Sequence, residues 1–187
     1  MSEPNQLYAR VHLSRAKFDE FLASKFPDPS EDADVLAWLS EASYYGDRYT
    51  PELIRERISS EATVGQWVER QLAPAPYGFV MPARSSYDEA SQTWTLGVLD
   101  FSENYDDYLA AVAVFREVAR YKDLAGEDGM LIYACIFAND DVEVALQIEA
   151  GSSRFLAEDE AAALVDEANV TMEELKLEGA SAAQGDA

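Results

Sequence analysis

The run Leu131-Ile132-Tyr133-Ala134-Cys135-Ile136-Phe137-Ala138-Asn139-Asp140-Asp141-Val142-Glu143-Val144-Ala145-Leu146-Gln147-Ile148-Glu149-Ala150 contains two strands of opposite character. Leu131 to Ala138 is apolar at every position, which predicts a central strand covered on both faces. Asn139-Asp140-Asp141 has turn chemistry. Beyond it Val142, Val144, Leu146, Ile148 and Ala150 alternate with Glu143, Gln147 and Glu149, the pattern of a strand with one buried and one wet face. Joined by so short a turn, the two predict an antiparallel hairpin.

Upstream, Leu7, Ala9, Val11 and Leu13 alternate with Tyr8, Arg10 and His12, predicting a first strand with His12 on its outer face. Ser14 stands as N-cap of a helix carrying Phe18, Phe21 and Leu22, which Phe26-Pro27-Asp28-Pro29 breaks. Residues 30–73 read as helical in three pieces. Ser30 caps a stripe of Val35, Leu36, Trp38 and Leu39. Thr50-Pro51 opens the second piece, with Leu53, Ile54 and Ile58 buried. Thr63-x-x-Gln66 has the form of a capping box before Val64, Trp67, Val68 and Leu72.

Tyr77 to Arg84 and Gln92 to Phe101 are strand candidates, and Pro82 predicts that the first is short or lies at a sheet edge. Ser102 begins a long helix to about Lys122 with Tyr108, Val112, Phe115, Val118 and Ala119 on one face. After Gly151, Glu158 to Ala168 predicts one helix and Thr171-x-x-Glu174 a second, short one ending at Gly179. The whole predicts an α+β fold, an antiparallel sheet of about five strands with helices on one face, on a ferredoxin-like βαββαβ plan. It forms a single domain over residues 1–179, with a helical insertion at 30–73, acidic C-terminal helices at 156–179 and a disordered tail at 180–187.

The 187 residues carry 36 acids against 14 bases, a formal charge of -22, which repels nucleic acid and anionic membrane surfaces. Residues 1–100 hold 16 acids and 9 bases; residues 101–187 hold 20 and 5, so most of the excess lies in the second half. One Cys and one His leave no material for disulfides or for a zinc site built on those residues. A polar start without an apolar stretch, and a lone Cys135 in an apolar strand, predict a cytoplasmic protein. No apolar run is long enough to span a membrane.

His12 and Cys135 are the only imidazole and thiol, and Cys135 reads as a core residue rather than a nucleophile. The acid clusters Asp100, Glu103, Asp106 and Asp107, then Asp123, Glu127 and Asp128, then Asp140 and Asp141 lack calcium-loop spacing. No glycine-rich phosphate loop and no G-x-S-x-G elbow occurs. The expectation is therefore a protein that is not an enzyme, with no metal and no cofactor.

Binding chemistry is concentrated elsewhere. Tyr44-Tyr45-Gly46-Asp47-Arg48-Tyr49 packs three Tyr and an Arg into one loop, the residue types enriched at interface hot spots, although the same rings could close the helical section onto the sheet. The start of the long helix adds Glu103, Tyr105, Asp106 and Asp107, and the last strand adds Glu143 and Glu149. These residues are the candidate partner-binding face, and a basic protein is the complementary partner. In size, negative charge, Tyr-rich loops and absence of catalytic motifs the chain resembles bacterial immunity proteins; no sequence motif carries that resemblance. It implies an immunity protein or antitoxin that neutralises a toxin by direct binding. The alternatives are a small enzyme or small-molecule-binding domain on a ferredoxin-like sheet, in which some of Tyr133, His12, Asp100 or Arg84 converge on a pocket, and a regulatory adaptor using the same face.

Overall fold

Strand β1 (Asn5–His12) buries Leu7, Ala9 and Val11 on one side and Tyr8 on the other, so neither face of the sheet is left to water. The computed structural model describes residues 5–42, 49–58, 61–73, 82–136 and 139–185. Within them six strands form one antiparallel sheet: β1, β2 (Ala83–Asp88), β3 (Thr93–Ser102), β4 (Asp128–Ile136), β5 (Asn139–Glu149) and β6 (Ser152–Phe155), in the order β2-β3-β1-β4-β5-β6. β1 lies between β3 and β4, with Ala9 opposite both Leu96 and Met130. The class is α+β, as the residue pattern predicts.

Five helices cover the first face: α1 (Arg15–Ala23), α2 (Ala33–Ala42), α3 (Pro51–Arg57), α4 (Val64–Leu72) and α5 (Tyr105–Val118). Their aromatic centre is Trp94 of β3, fully buried, stacked on Phe115 at 5.5 Å and tilted against Phe21 at 5.7 Å. Its indole N–H donates to Ser85 Oγ at 2.9 Å, so the buried ring leaves no orphan donor.

Helix α6 (Ala162–Gly185) covers the opposite face. This corrects the expectation of helices on one face only. Leu131 and Tyr133 of β4 and Leu99 of β3 are buried against Val165, Ala168, Met172 and Leu175. The apolar run from Leu131 to Ala134 in β4 required that second cover, because a sheet open to water on one side alternates. Two glycines let the helix approach: a Cβ on Gly97 would stand 2.8 Å from Leu175 Cδ1, and one on Gly129 2.9 Å from Leu164 Cδ2.

The two short C-terminal helices predicted from Thr171 and Gly179 are one continuous helix, and its backbone runs to Gly185, into the stretch predicted as a disordered tail. Thr171 is half-buried beside Gly97 instead of capping. Gly179 passes Pro82, whose Cγ would lie 2.4 Å from an added Cβ. The sixth strand, β6, follows a turn in which Gly151 takes a φ of +80°. Four residues with a single Phe155 are too short to show a period.

Capping is partly as predicted. Thr50 accepts from Leu53 N–H at 3.3 Å with Pro51 opening α3, and Thr63 accepts from Gln66 N–H at 3.3 Å. The Gln66 side chain reaches Ala62 N–H at 2.9 Å, one residue before the cap. Ser14 makes no cap bond and donates to Asp123 at 2.6 Å, while α2 is capped by Asp32, not Ser30, and α5 by Asn104, not Ser102. We expect Thr50→Ala to lower stability by about 1 kcal/mol in urea unfolding, through the lost cap bond; an unchanged midpoint would show that the cap contributes nothing.

Candidate partner-binding surface

Five of the predicted side chains gather around the N-terminal turn of α5. Asn104 takes the cap position, which leaves the Ser102 hydroxyl to donate to Asp107 at 2.7 Å. Asp106 and Asp107 then sit in the first turn, where the positive end of the helix stabilises carboxylates. Tyr49 Oη donates to Asp106 at 3.2 Å, and Arg57 lies 3.8 Å from the same carboxylate. Arg70 stands 4.0 Å from Asp107. Tyr105 Oη donates to Glu143 of β5 at 3.3 Å.

Burial, and then the adjoining carboxylates, raise the Tyr105 and Tyr49 phenols above their ordinary value. Burial pushes Tyr108 beneath them up to about 12. All three remain neutral hydrogen-bond donors at physiological pH. Asp106, Asp107, Glu143 and the tyrosines thus form a preorganised polar, aromatic patch, in which Arg57 and Arg70 offset two of the three carboxylates.

Glu143 reaches Tyr105 because of a bulge. Ile132 of β4 pairs with Val144 but the next residue, Tyr133, pairs with Val142, so Glu143 is the extra residue. A bulge re-aims side chains. Val144 faces the first core whereas Val142 packs against the second, which corrects the unbroken alternation predicted for this strand.

The remaining predicted residues do not all join this patch. Glu103 is exposed in the turn before α5. Glu149 is exposed at the far end of β5, opposite Ser152, six residues from Glu143 and so about 20 Å away along the strand. Tyr44, Tyr45, Asp47 and Arg48 lie outside the described residues.

Sequence reasoning missed two members of the surface. Trp38 of α2, assigned to a buried stripe, lies at its margin, half-buried, 6.3 Å from the Tyr105 ring. It stacks on Phe155 at 5.6 Å and 15°. Only the pairing of β6 with β5 brings Phe155 there, and a lone aromatic after a Gly turn gives no signal of its partner.

A second polar cluster lies at the other end of β1. Asp128, 5% exposed, accepts from the His12 backbone N–H at 2.9 Å, contacts His12 Nδ1 at 2.5 Å, and is paired with Lys122, itself 7% exposed. His12 is therefore not a free polar residue of an outer face. Gly126 packs against its ring, leaving no room for a Cβ, which would fall 2.4 Å from Nδ1.

Three of the four residues considered for an enzyme pocket have separate partners, Tyr133 donating to Asn169 at 3.1 Å, Arg84 to Glu178 at 2.7 Å and His12 meeting Asp128, and the fourth, Asp100, is exposed. Cys135 lies in β4, with its side chain outside the described residues. Among the described residues no group of three or more His, Cys, Asp or Glu is placed to hold a metal ion, and no helix is long and apolar enough to cross a membrane. Comparison of the chain with protein-family models, curated proteins and solved structures finds no significant match.

Proposed function

We propose that this chain is a non-catalytic acidic binding protein of the cytoplasm that captures a basic protein, acting as an immunity protein or antitoxin against a toxin. The observation that carries this reading is the patch on which Tyr49, Tyr105, Asp106, Asp107 and Glu143 converge, on a chain of net charge -22. Aromatic rings with fixed hydroxyls supply contact area at low entropy cost, and the carboxylates raise the association rate with a cationic partner. A ferredoxin-like plan for the four strands β2-β3-β1-β4 is part of the same proposal. It is supported by β1 lying antiparallel between β3 and β4, which α5 connects.

Co-expression with the reading frames adjoining its gene is the test. We expect one of those products to arrest growth alone, to be neutralised by this chain, and to bind it more weakly as salt rises from about 50 to about 500 mM. If no adjoining product binds and deletion of the pair leaves growth unaltered, the reading is wrong.

A further inference from the structure

β6 pairs with β5 from Leu146 to Glu149, Leu156 N–H adds one more bond to Ala145 O at 2.9 Å, and the β5 edge from Val142 to Val144 continues past it. Among the described residues no strand lies beside that edge; helix α2 stands off from it instead. The space between is a groove of about 480 Å³, within the range of sites that bury a compact ligand group. Trp38 and Phe155 wall it, Val142 and Leu156 contribute apolar surface, and the Glu143–Tyr105 pair joins it to the patch on α5.

Charge identifies the occupant. Asp34, Glu41, Glu143 and Glu158 rim the groove. Among the described residues its one cation, Arg154, is neutralised by Glu160 at 3.0 Å, and Asp34 is paired with Arg116 at 3.2 Å. No cation among the described residues pairs with Glu41, Glu143 or Glu158. A second copy of this chain, at -22, would meet that rim with repulsion, as would a nucleic acid or an anionic lipid surface.

We infer that this groove seats the anchor of the basic partner: an extended segment laying one aromatic or aliphatic side chain against the exposed edge of the Trp38–Phe155 stack, with lysines or arginines on either side meeting Glu41, Glu143 and Glu158. The inference rests on the reading of the chain as an acidic binder of a basic protein, and it gives that binder a place and a ligand chemistry.

The test uses the full chain and three capped hexapeptides: Lys-Lys-Leu-Phe-Lys-Lys, Lys-Lys-Ala-Ala-Lys-Lys and Glu-Glu-Leu-Phe-Glu-Glu. Trp67 and Trp94 are fully buried, so quenching of tryptophan fluorescence by acrylamide reports on Trp38. The first peptide is expected to shield Trp38 and to move the amide resonances of Trp38, Val144 and Phe155. The other two should bind at least about tenfold more weakly, and Glu41→Lys or Glu143→Lys should weaken the first about tenfold, the exposed Glu41→Lys without changing the thermal midpoint. Equal binding of the two lysine peptides, resonance shifts spread over the acidic surface, or an unshielded Trp38 would each overturn the groove assignment. The peptides act without the natural partner, so the two readings fail separately. Shielding by the first peptide in a chain that neutralises no toxin would discard the toxin reading and leave the groove; a captured partner indifferent to Glu41→Lys and Glu143→Lys would do the reverse.

Discussion

Asp128→Ala should cost about 3–5 kcal/mol of unfolding free energy, the magnitude typical of breaking a buried ion pair by removing one partner. The wild-type carboxylate is fully buried and meets three groups at once: the paired Lys122 ammonium, the His12 backbone N–H and His12 Nδ1. Alanine leaves Lys122, 7% exposed, as a buried cation whose remaining described bond is to Gly126 O at 3.3 Å. It also orphans the His12 amide at the end of the central strand. Urea unfolding measures the loss. The double variant Lys122→Met, Asp128→Ala should be more stable than Asp128→Ala alone, because no uncompensated charge remains. A loss below about 1 kcal/mol for the single variant would mean that water reaches the cluster and that it does not fasten the 119–128 connection to β1.

Ending the chain at Ala157, which removes α6, should abolish cooperative folding. Val165, Met172 and Leu175 leave with the helix, and Tyr8, Leu99, Leu131 and Tyr133 lose their cover. At about 1.5–3 kcal/mol for each large apolar side chain the loss reaches roughly 10 kcal/mol or more. Whole domains are stable by only about 5–15 kcal/mol. The polar ties go too: Tyr8 Oη to Glu167 at 2.6 Å and Arg84 to Glu178 at 2.7 Å. The expected readout is strong dye binding to exposed apolar surface, loss of the near-ultraviolet aromatic signal and no sigmoidal unfolding. A truncated chain that still unfolded cooperatively would show that the second face can stand in water.

Both predictions turn on features that the residue order carried to different degrees. The cover on the second face was legible in two places. Leu131 to Ala134 leaves no polar position for water, and Ala161, Val165, Ala168, Met172 and Leu175 recur at alternating steps of four and three. The stripe is obscured because Thr171-x-x-Glu174 imitates a helix start and Gly179 a helix end. Capping chemistry is a local preference of about 1 kcal/mol, and several times that in packing against the sheet overrides it. The Asp128 cluster was not legible. Asp123, Glu127 and Asp128 read as one loop acid after another, and only the register that sets Arg10 opposite Gly129 brings Asp128 to His12, 116 residues away.

The candidate surface divides in the same way. Tyr105, Asp106, Asp107 and Tyr49 could be chosen as residue types suited to an interface, and Asp106 and Asp107 as acids suited to a helix start. Trp38 and Phe155 could not be paired, nor could Glu149 be separated from Glu143, because strand alternation says which side a residue faces but not what stands beside it.

Residue order alone determined the local elements of this protein: the all-apolar strand and its alternating neighbour, the helix starts at Pro51 and Val64, and the acidic excess after residue 100. Each depends on periods of two or 3.6 residues, on caps within one turn, or on a count. The tertiary structure alone decided which acid is buried with a lysine, which carboxylate a bulge turns toward Tyr105, and that a groove opens where β6 stops pairing. Those depend on contacts between residues far apart in the chain, whose free energy is set by the water they exclude together and not by any residue's own preference.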